Sequence, residues 1–336
     1  MDHGRRMILT AGLALTAGAT RAGRDARADS PTPADNDADA PVWPPAERLA
    51  LWPAAPPGAP ATLPVASLVM DGARGARQLQ LRGIAHPELN VFRAPRPDGT
   101  GLLVFPGGGY RYLSLQNEGL NVASRFTPFG TTVFIVTYRL PGEGWQHRER
   151  VPLQDAQRAV RLVRHNAAGF GVDSARIGVL GFSAGGHAAA ELATAFAEQV
   201  SEPVDGADIL SARPDFAGLL YAVTNLGRLF AFGQTPEALL GAGASDALVA
   251  QRSPVAHVRA DTPPCFIAHA MDDKTVSPES SLDMIAACRR AGVAVEGHLF
   301  ESGGHGFGLQ PAANLPAARW PDLFESWMRA RGTASA

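Results

Sequence analysis

Residues 176–187 read Arg176-Ile177-Gly178-Val179-Leu180-Gly181-Phe182-Ser183-Ala184-Gly185-Gly186-His187, and an Ala-rich segment follows to Gln199. The apolar run Ile177–Leu180 has the composition of a buried strand, and Ala184–Gln199 that of a helix. Between them lies G-x-S-x-G. A strand, a tight turn and a helix in that order are the setting in which a serine projects its hydroxyl from the carboxyl end of a central strand. Small flanking residues are required because such a turn brings strand and helix into close contact. Ser183 is therefore a candidate nucleophile, and Ala184 N–H, at the positive end of the helix, a candidate donor to an oxyanion.

On both sides of this segment the chain alternates strands and helices. Leu79–Leu81 and Asn90–Phe92 read as short early strands, Gly101–Phe105 as a buried strand, Gln116–Phe129 as a helix and Thr132–Leu140 as a strand. Leu153–Ala168 has helical spacing, and Phe216–Tyr221 and Cys265–Ala270 are further strands. A helical insertion over 225–252 separates those two strands, and Ser280–Ala291, Val295–Glu301 and Ala317–Arg331 complete the pattern as helix, strand, helix. Such alternation implies an α/β fold, a mostly parallel central sheet with helices on both faces.

In that architecture reactive groups gather in loops at the carboxyl ends of strands. Pro106-Gly107-Gly108-Gly109-Tyr110 follows the strand ending at Phe105, where unobstructed N–H groups of Gly108 and Gly109 can point at a developing oxyanion. Tyr110 and Arg111 follow directly and are candidates to touch substrate. After strand Cys265–Ala270 come Asp272 and Asp273, of which Asp273 has the spacing to Val276 that suits an acid orienting a histidine, with Asp272 the alternative. After the last strand, Ser302-Gly303-Gly304-His305-Gly306 offers a histidine between glycines, the candidate base. The order Ser183, Asp273, His305 is that of serine hydrolases built on such a sheet. His187 is expected to hydrogen-bond locally and His269 to be structural. Glu118 and Asp155 are helix carboxylates for which a solvated face or a cap is expected, with lining of the cleft the alternative. The remaining histidines lack metal-ligand spacing, so no metal site is expected.

Composition sets the outer bounds. The chain has 336 residues, 46% hydrophobic and 18% charged, with a net charge of −2, which disfavours a nucleic-acid surface. Lys274 is the only lysine among many arginines. Arg5-Arg6 before the mildly apolar Met7–Thr20, with Ala26-Arg27-Ala28 as a cleavage site, reads as an export signal over 1–28 of twin-arginine type. The apolar run is too short for stable membrane insertion, so a periplasmic or secreted location is expected. Residues 29–47 read as a Pro/Ala/Asp-rich tether, and 48–333 as the catalytic domain, with Trp43, Leu49, Leu51 and Trp52 pinning its start. Cys265 and Cys288 are placed so that a bridge is geometrically feasible in an oxidising compartment, but two buried free thiols is the favoured reading.

The motifs together resemble a known group. Trp52-Pro53, Phe105–Tyr110, Tyr138-Arg139-Leu140-Pro141, Gly181–His187, His269–Val276 and Gly303–Phe307 are similar to the bacterial α/β-hydrolases of the acetyl xylan and feruloyl esterase-like kind, related to the esterase/lipase group that includes hormone-sensitive lipase. The likeness runs from about residue 48 to 330. Pro106 stands where that loop commonly has histidine, and Met271 and Ser277 depart from the commoner acid-loop residues. The resemblance implies a secreted serine esterase that needs no cofactor and acts on a small-molecule or oligosaccharide ester, foremost acetylated xylan. It carries over Ser183, Asp273 and His305 as triad and Gly108, Gly109 and Ala184 as oxyanion donors. Feruloyl or general short-chain ester hydrolysis is the neighbouring expectation, and a non-catalytic binding module on the same fold the one from another class.

Overall fold

The computed structural model describes residues 41–72, 77–229, 235–310 and 314–332. The export signal expected over 1–28, and the tether as far as residue 40, lie outside the described residues. Eleven strands are described among these residues: β1 (Arg48–Ala50), β2 (Ser67–Asp71), β3 (Gln78–Arg82), β4 (Glu88–Phe92), β5 (Gly99–Phe105), β6 (Leu113–Ser114), β7 (Thr132–Thr137), β8 (Val172–Phe182), β9 (Phe216–Leu220), β10 (Cys265–Ala270) and β11 (Val295–Phe300). Their helices are α1 (Asn121–Phe126), α2 (Val151–His165), α3 (Ala167–Phe170), α4 (Ser183–Ala195), α5 (Leu226–Leu229), α6 (Thr235–Leu240), α7 (Asp246–Gln251), α8 (Glu279–Arg290) and α9 (Trp320–Gly332).

Eight strands form one sheet in the order β1-β4-β7-β5-β8-β9-β10-β11. From β7 to β11 every pairing is parallel, while β1 and β4 add an antiparallel margin. The central strands read as unbroken apolar runs because both faces are covered: Leu102–Phe105, Val133–Val136 and Val179-Leu180 are wholly inaccessible. Alternation along β8 separates the layers. Leu180 and Phe182 point to the α9 side, where Phe182 packs edge-on to Trp320 and Leu180 shares the Gly218 site with Phe324. Gly181 lies between them in sequence and faces α4, where an added Cβ would sit 2.7 Å from the Ala189 methyl. The mostly parallel, two-sided sheet is thus as expected. A second, three-stranded antiparallel sheet, β2-β3-β6, was not anticipated beyond the Leu79–Leu81 strand.

One boundary moved for a physical reason, and one helix opens differently from expectation. The strand expected over Thr132–Leu140 ends at Thr137, because Arg139 N–H leaves the ladder to donate to the Asp155 carboxylate at 2.8 Å. The expected helix Gln116–Phe129 begins with a π-helical turn over Gln116–Leu120. Asp155 and Glu118 are both buried, not solvated or capping as expected. Asp155 accepts from Trp52 Nε1 at 2.8 Å and from the Arg139 guanidinium, which ties the early segment onto α2. Trp43, Leu51 and Trp52 are buried there. The insertion appears as α5–α7 between β9 and β10. Cys265 and Cys288 are buried free thiols lying against one another. Among the described residues no helix is long and apolar enough to cross a membrane.

Candidate active site

The G-x-S-x-G segment makes the turn its composition requires. Ser183 sits at the end of β8 with φ +52°, a left-handed conformation costly for a residue with a Cβ. A Cβ on Gly185 would lie 2.1 Å from the Phe105 carbonyl oxygen, so only glycine lets α4 start this close to β5. The strained turn is held by packing on both sides, and it lifts the Ser183 hydroxyl clear of the sheet.

The loops after β10 and β11 meet this serine. Ser183 Oγ lies 2.9 Å from His305 Nε2, and His305 Nδ1 lies 2.7 Å from Asp273 Oδ2. A carboxylate oxygen can only accept here, so Nδ1 carries the proton and Nε2 is free to accept from the serine hydroxyl. Of the two aspartates, Asp273 therefore adjoins the histidine. Asp272 instead accepts from Gly304 N–H at 2.8 Å and steadies the histidine loop. Burial works to raise the Asp273 pKa, but hydrogen bonds from His269, His305 and Val276 N–H outweigh it and hold the carboxyl well below the usual range.

His269, expected to be structural, has a defined partner in this set. Its Nε2 donates to Asp273 Oδ2 and to the Val276 carbonyl, each at 3.1 Å, while Nδ1 accepts from Ser281 Oγ at 2.7 Å. It thus fixes the carboxylate that faces His305. Nothing in the local sequence marks that role apart from the i, i+4 spacing of His269 and Asp273.

The glycine loop lies against the same serine. An added Cβ on Gly107 would sit 3.0 Å from the Ser183 Cβ. Gly107 N–H is already committed, donating to Glu118 Oε2 at 2.7 Å, and Glu118 Oε1 accepts from Tyr221 OH at 2.8 Å. Burial pushes the Glu118 carboxyl up, opposed by those two hydrogen bonds and by the nearby His305. Among the described residues none accepts from the N–H groups of Gly108, Gly109 or Ala184, which stay available to a ligand. Gly108 has φ +128°, and a Cβ there would sit 2.1 Å from the Tyr112 carbonyl oxygen. Tyr110 is almost wholly buried, its hydroxyl 2.7 Å from His187 Nδ1, so it anchors the loop with little surface left for a ligand. His187 Nε2 donates to the Arg252 carbonyl at 2.8 Å, so both its partners come from distant segments and the bonding is not the local one expected. Arg111 is exposed.

A family model named BD-FAE matches residues 102–287. The chain belongs to the BD-FAE family. This places it in a group of α/β-hydrolase esterases, as the motifs suggested. It is similar to an acetylxylan esterase of Xylanibacter ruminicola, 31% identical over 69% of this chain and 46% of that protein. An endo-1,4-beta-xylanase B of Butyrivibrio fibrisolvens is 34% identical over 61% of this chain and 32% of that protein. The chain thus spans less than half the length of these two curated relatives. Among solved structures, the acetyl ester-xyloside bifunctional hydrolase of Caldicellulosiruptor lactoaceticus is 32% identical, with a TM-score of 0.69 over 86% of this chain and 97% of that one. The carboxylesterase Cest-2923 of Lactobacillus plantarum, 23% identical with a TM-score of 0.61 over 80% of this chain and 98% of that one, shares the fold.

Proposed function

We propose that this protein is an exported serine carboxylesterase that removes short acyl groups, foremost acetyl, from a saccharide such as xylan. The observation that carries this reading is the chain of contacts from Ser183 Oγ through His305 to Asp273, beside the free N–H groups of Gly108, Gly109 and Ala184. The acetylxylan esterase and acetyl ester-xyloside hydrolase among its relatives support the choice of ester.

In the reaction His305 Nε2 takes the Ser183 proton as Oγ bonds to the ester carbon. Negative charge moves onto the carbonyl oxygen, where the glycine-loop and Ala184 N–H groups receive it. One such donor contributes about 3–4 kcal/mol to transition-state stability in comparable hydrolases. The bond to the sugar oxygen then breaks, and His305 returns its proton to the departing hydroxyl. Water attacks the acyl-enzyme by the same route and gives its proton to His305. The Oγ–carbon bond breaks, acetic acid leaves, and Ser183 recovers its proton. Asp273 stays ionised throughout and stabilises the imidazolium.

Purified wild-type protein is expected to hydrolyse p-nitrophenyl acetate and to release acetate from acetylated xylo-oligosaccharides. Ser183→Ala is expected to lose both activities with an unchanged circular dichroism spectrum. Wild-type turnover by the alanine variant would overturn the mechanism. Release of ferulate from feruloylated arabinose esters in preference to acetate would move the substrate to the neighbouring class.

A further inference from the structure

A cleft of about 510 Å³ lies beside the glycine loop, lined by Tyr110, Arg111, Glu143, Arg148, Glu237 and Gly241, among others. Tyr110, the residue after Gly109, lines it, and Thr235 at the start of α6, the helix that carries Glu237, lies 3.8 Å from where a Cβ on Gly109 would sit. Two arginines of the cleft stand outside the protein's ion pairs, as Arg82, Arg176 and Arg213 do elsewhere. Arg93, Arg125, Arg139, Arg158, Arg228 and Arg252 each hold a carboxylate. Among the described residues neither Arg111 nor Arg148 has one.

Arg148 is half-buried and held in place. Its Nη2 donates to the Ala238 carbonyl, and its terminal nitrogens lie between two glycine turns, where a Cβ on Gly142 or Gly241 would meet them at 3.3 and 3.5 Å. Its Nε is buried with no hydrogen-bond acceptor. Arg150 and Arg252 share that feature, so it is the terminal nitrogens of Arg148 that bear on a ligand, and a guanidinium pairs most strongly with a planar oxyanion. Neither carboxylate that lines the cleft forms an ion pair with it. Glu143 accepts from the backbone N–H groups of Gly83 and Ile84. Glu237 is exposed, like Arg111.

We propose that this cleft binds a carboxylate on the saccharide substrate, that of a hexuronic acid residue near the acylated sugar, with Arg148 as its fixed partner and Arg111 as a mobile second one. The inference rests on the saccharide esterase reading: an acetyl group carries no charge, so the anion belongs to the sugar side of the ester. The subsite determines specificity and takes no part in the chemical step.

The test compares two acetylated xylo-oligosaccharides of equal length, one bearing a hexuronic acid and one neutral. The wild-type protein is expected to favour the acidic one by about tenfold in kcat/KM, with the preference shrinking as salt rises. The ratio is expected to collapse in Arg148→Met and in Arg111→Gln, and to survive in part in Arg148→Lys. Arg111 is exposed, so its variant keeps the test open if Arg148→Met fails to fold. Calorimetry on the Ser183→Ala variant then compares the deacetylated acidic and neutral oligosaccharides without catalysis, and tighter binding of the acidic one is expected. Equal kcat/KM for the two substrates in the wild type, or a preference that survives both substitutions, would overturn the subsite and leave the esterase intact. If p-nitrophenyl acetate is cleaved but neither oligosaccharide is, the saccharide reading fails. Calorimetry then decides the cleft, and equal binding of the two oligosaccharides would overturn it.

Discussion

Asp272 and Asp273 are adjacent and chemically identical, and the backbone separates their tasks. The turn after β10 directs Asp273 inward, where Thr275 and Val276 N–H groups fill one oxygen and His269 and His305 share the other. Asp272 points outward to Gly304 N–H. Asp273→Asn would present an amide to His305 and favour the wrong tautomer, so its kcat on p-nitrophenyl acetate is expected to fall by about 10⁴. Asp272→Asn keeps an oxygen for Gly304 and is expected to stay within about tenfold of wild type. Equal losses in the two variants would contradict the assignment. The sequence could favour Asp273 on spacing alone. His269 as its second partner could not be seen, because that contact depends on Ser281 and Val276 arriving from the next helix and turn.

At the level of one element, α4 carries two buried titratable groups a helical turn apart, His187 and Glu191. Burial lowers the His187 pKa from 6.5 to about 4, with the Arg252 charge adding to the effect. Burial raises the Glu191 pKa from 4.5 to about 7, because Arg252 is shared with Glu198 and only partly offsets the loss of water. The two act on stability with opposite sign. His187 binds fewer protons in the folded state, so its contribution falls as pH drops from 6.5 to about 4. Glu191 binds more, so its contribution is present below 4.5 and lost as pH rises to about 7. Glu191→Gln removes the second effect and leaves the first. The urea midpoint of the variant relative to wild type is expected to rise as pH increases from about 4.5 to about 7. A difference independent of pH would contradict this. Helical spacing held part of the clue, since Glu191 lies one turn after His187 in an Ala-rich helix too apolar to be a surface helix. The partner Arg252 lies 61 residues away and was not legible.

Across the whole molecule, the early segment is fixed by one buried carboxylate. Asp155 on α2 accepts from Trp52 Nε1 and pairs with Arg139, neither side chain of the pair being accessible to solvent. Arg139 in turn donates to the Pro57 carbonyl and to Gln154 Oε1. Asp155→Ala would leave a buried guanidinium without its counter-charge, and the loss of unfolding free energy is expected to be about 3–5 kcal/mol by denaturant titration. Adding Arg139→Met is expected to recover part of it, since the unpaired charge is then gone. A solvated face or a cap is the default expectation for Asp155 and Glu118, yet both follow the apolar periodicity. Asp155 falls in line with Val151, Ala159 and Leu162, and Glu118 with Leu115 and Val122, all of them buried. A carboxylate on the apolar face of a helix needs partners, and those partners come from distant strands and loops.

The sequence by itself determined the alternation of strands and helices, the serine turn and the order in which glycine loop, serine, acid and histidine follow their strands. Those features are local: apolar period, small residues at a close approach, and a loop after each strand. The tertiary structure decided what depends on chain segments far apart in sequence. It separated the two aspartates, placed Glu118 under the glycine loop through Gly107 N–H, and spent the Tyr110 hydroxyl on His187. It also left Arg148 without an ion pair in the cleft. The physical reason is that a buried polar group is defined by its partners, and folding, not sequence neighbourhood, chooses them.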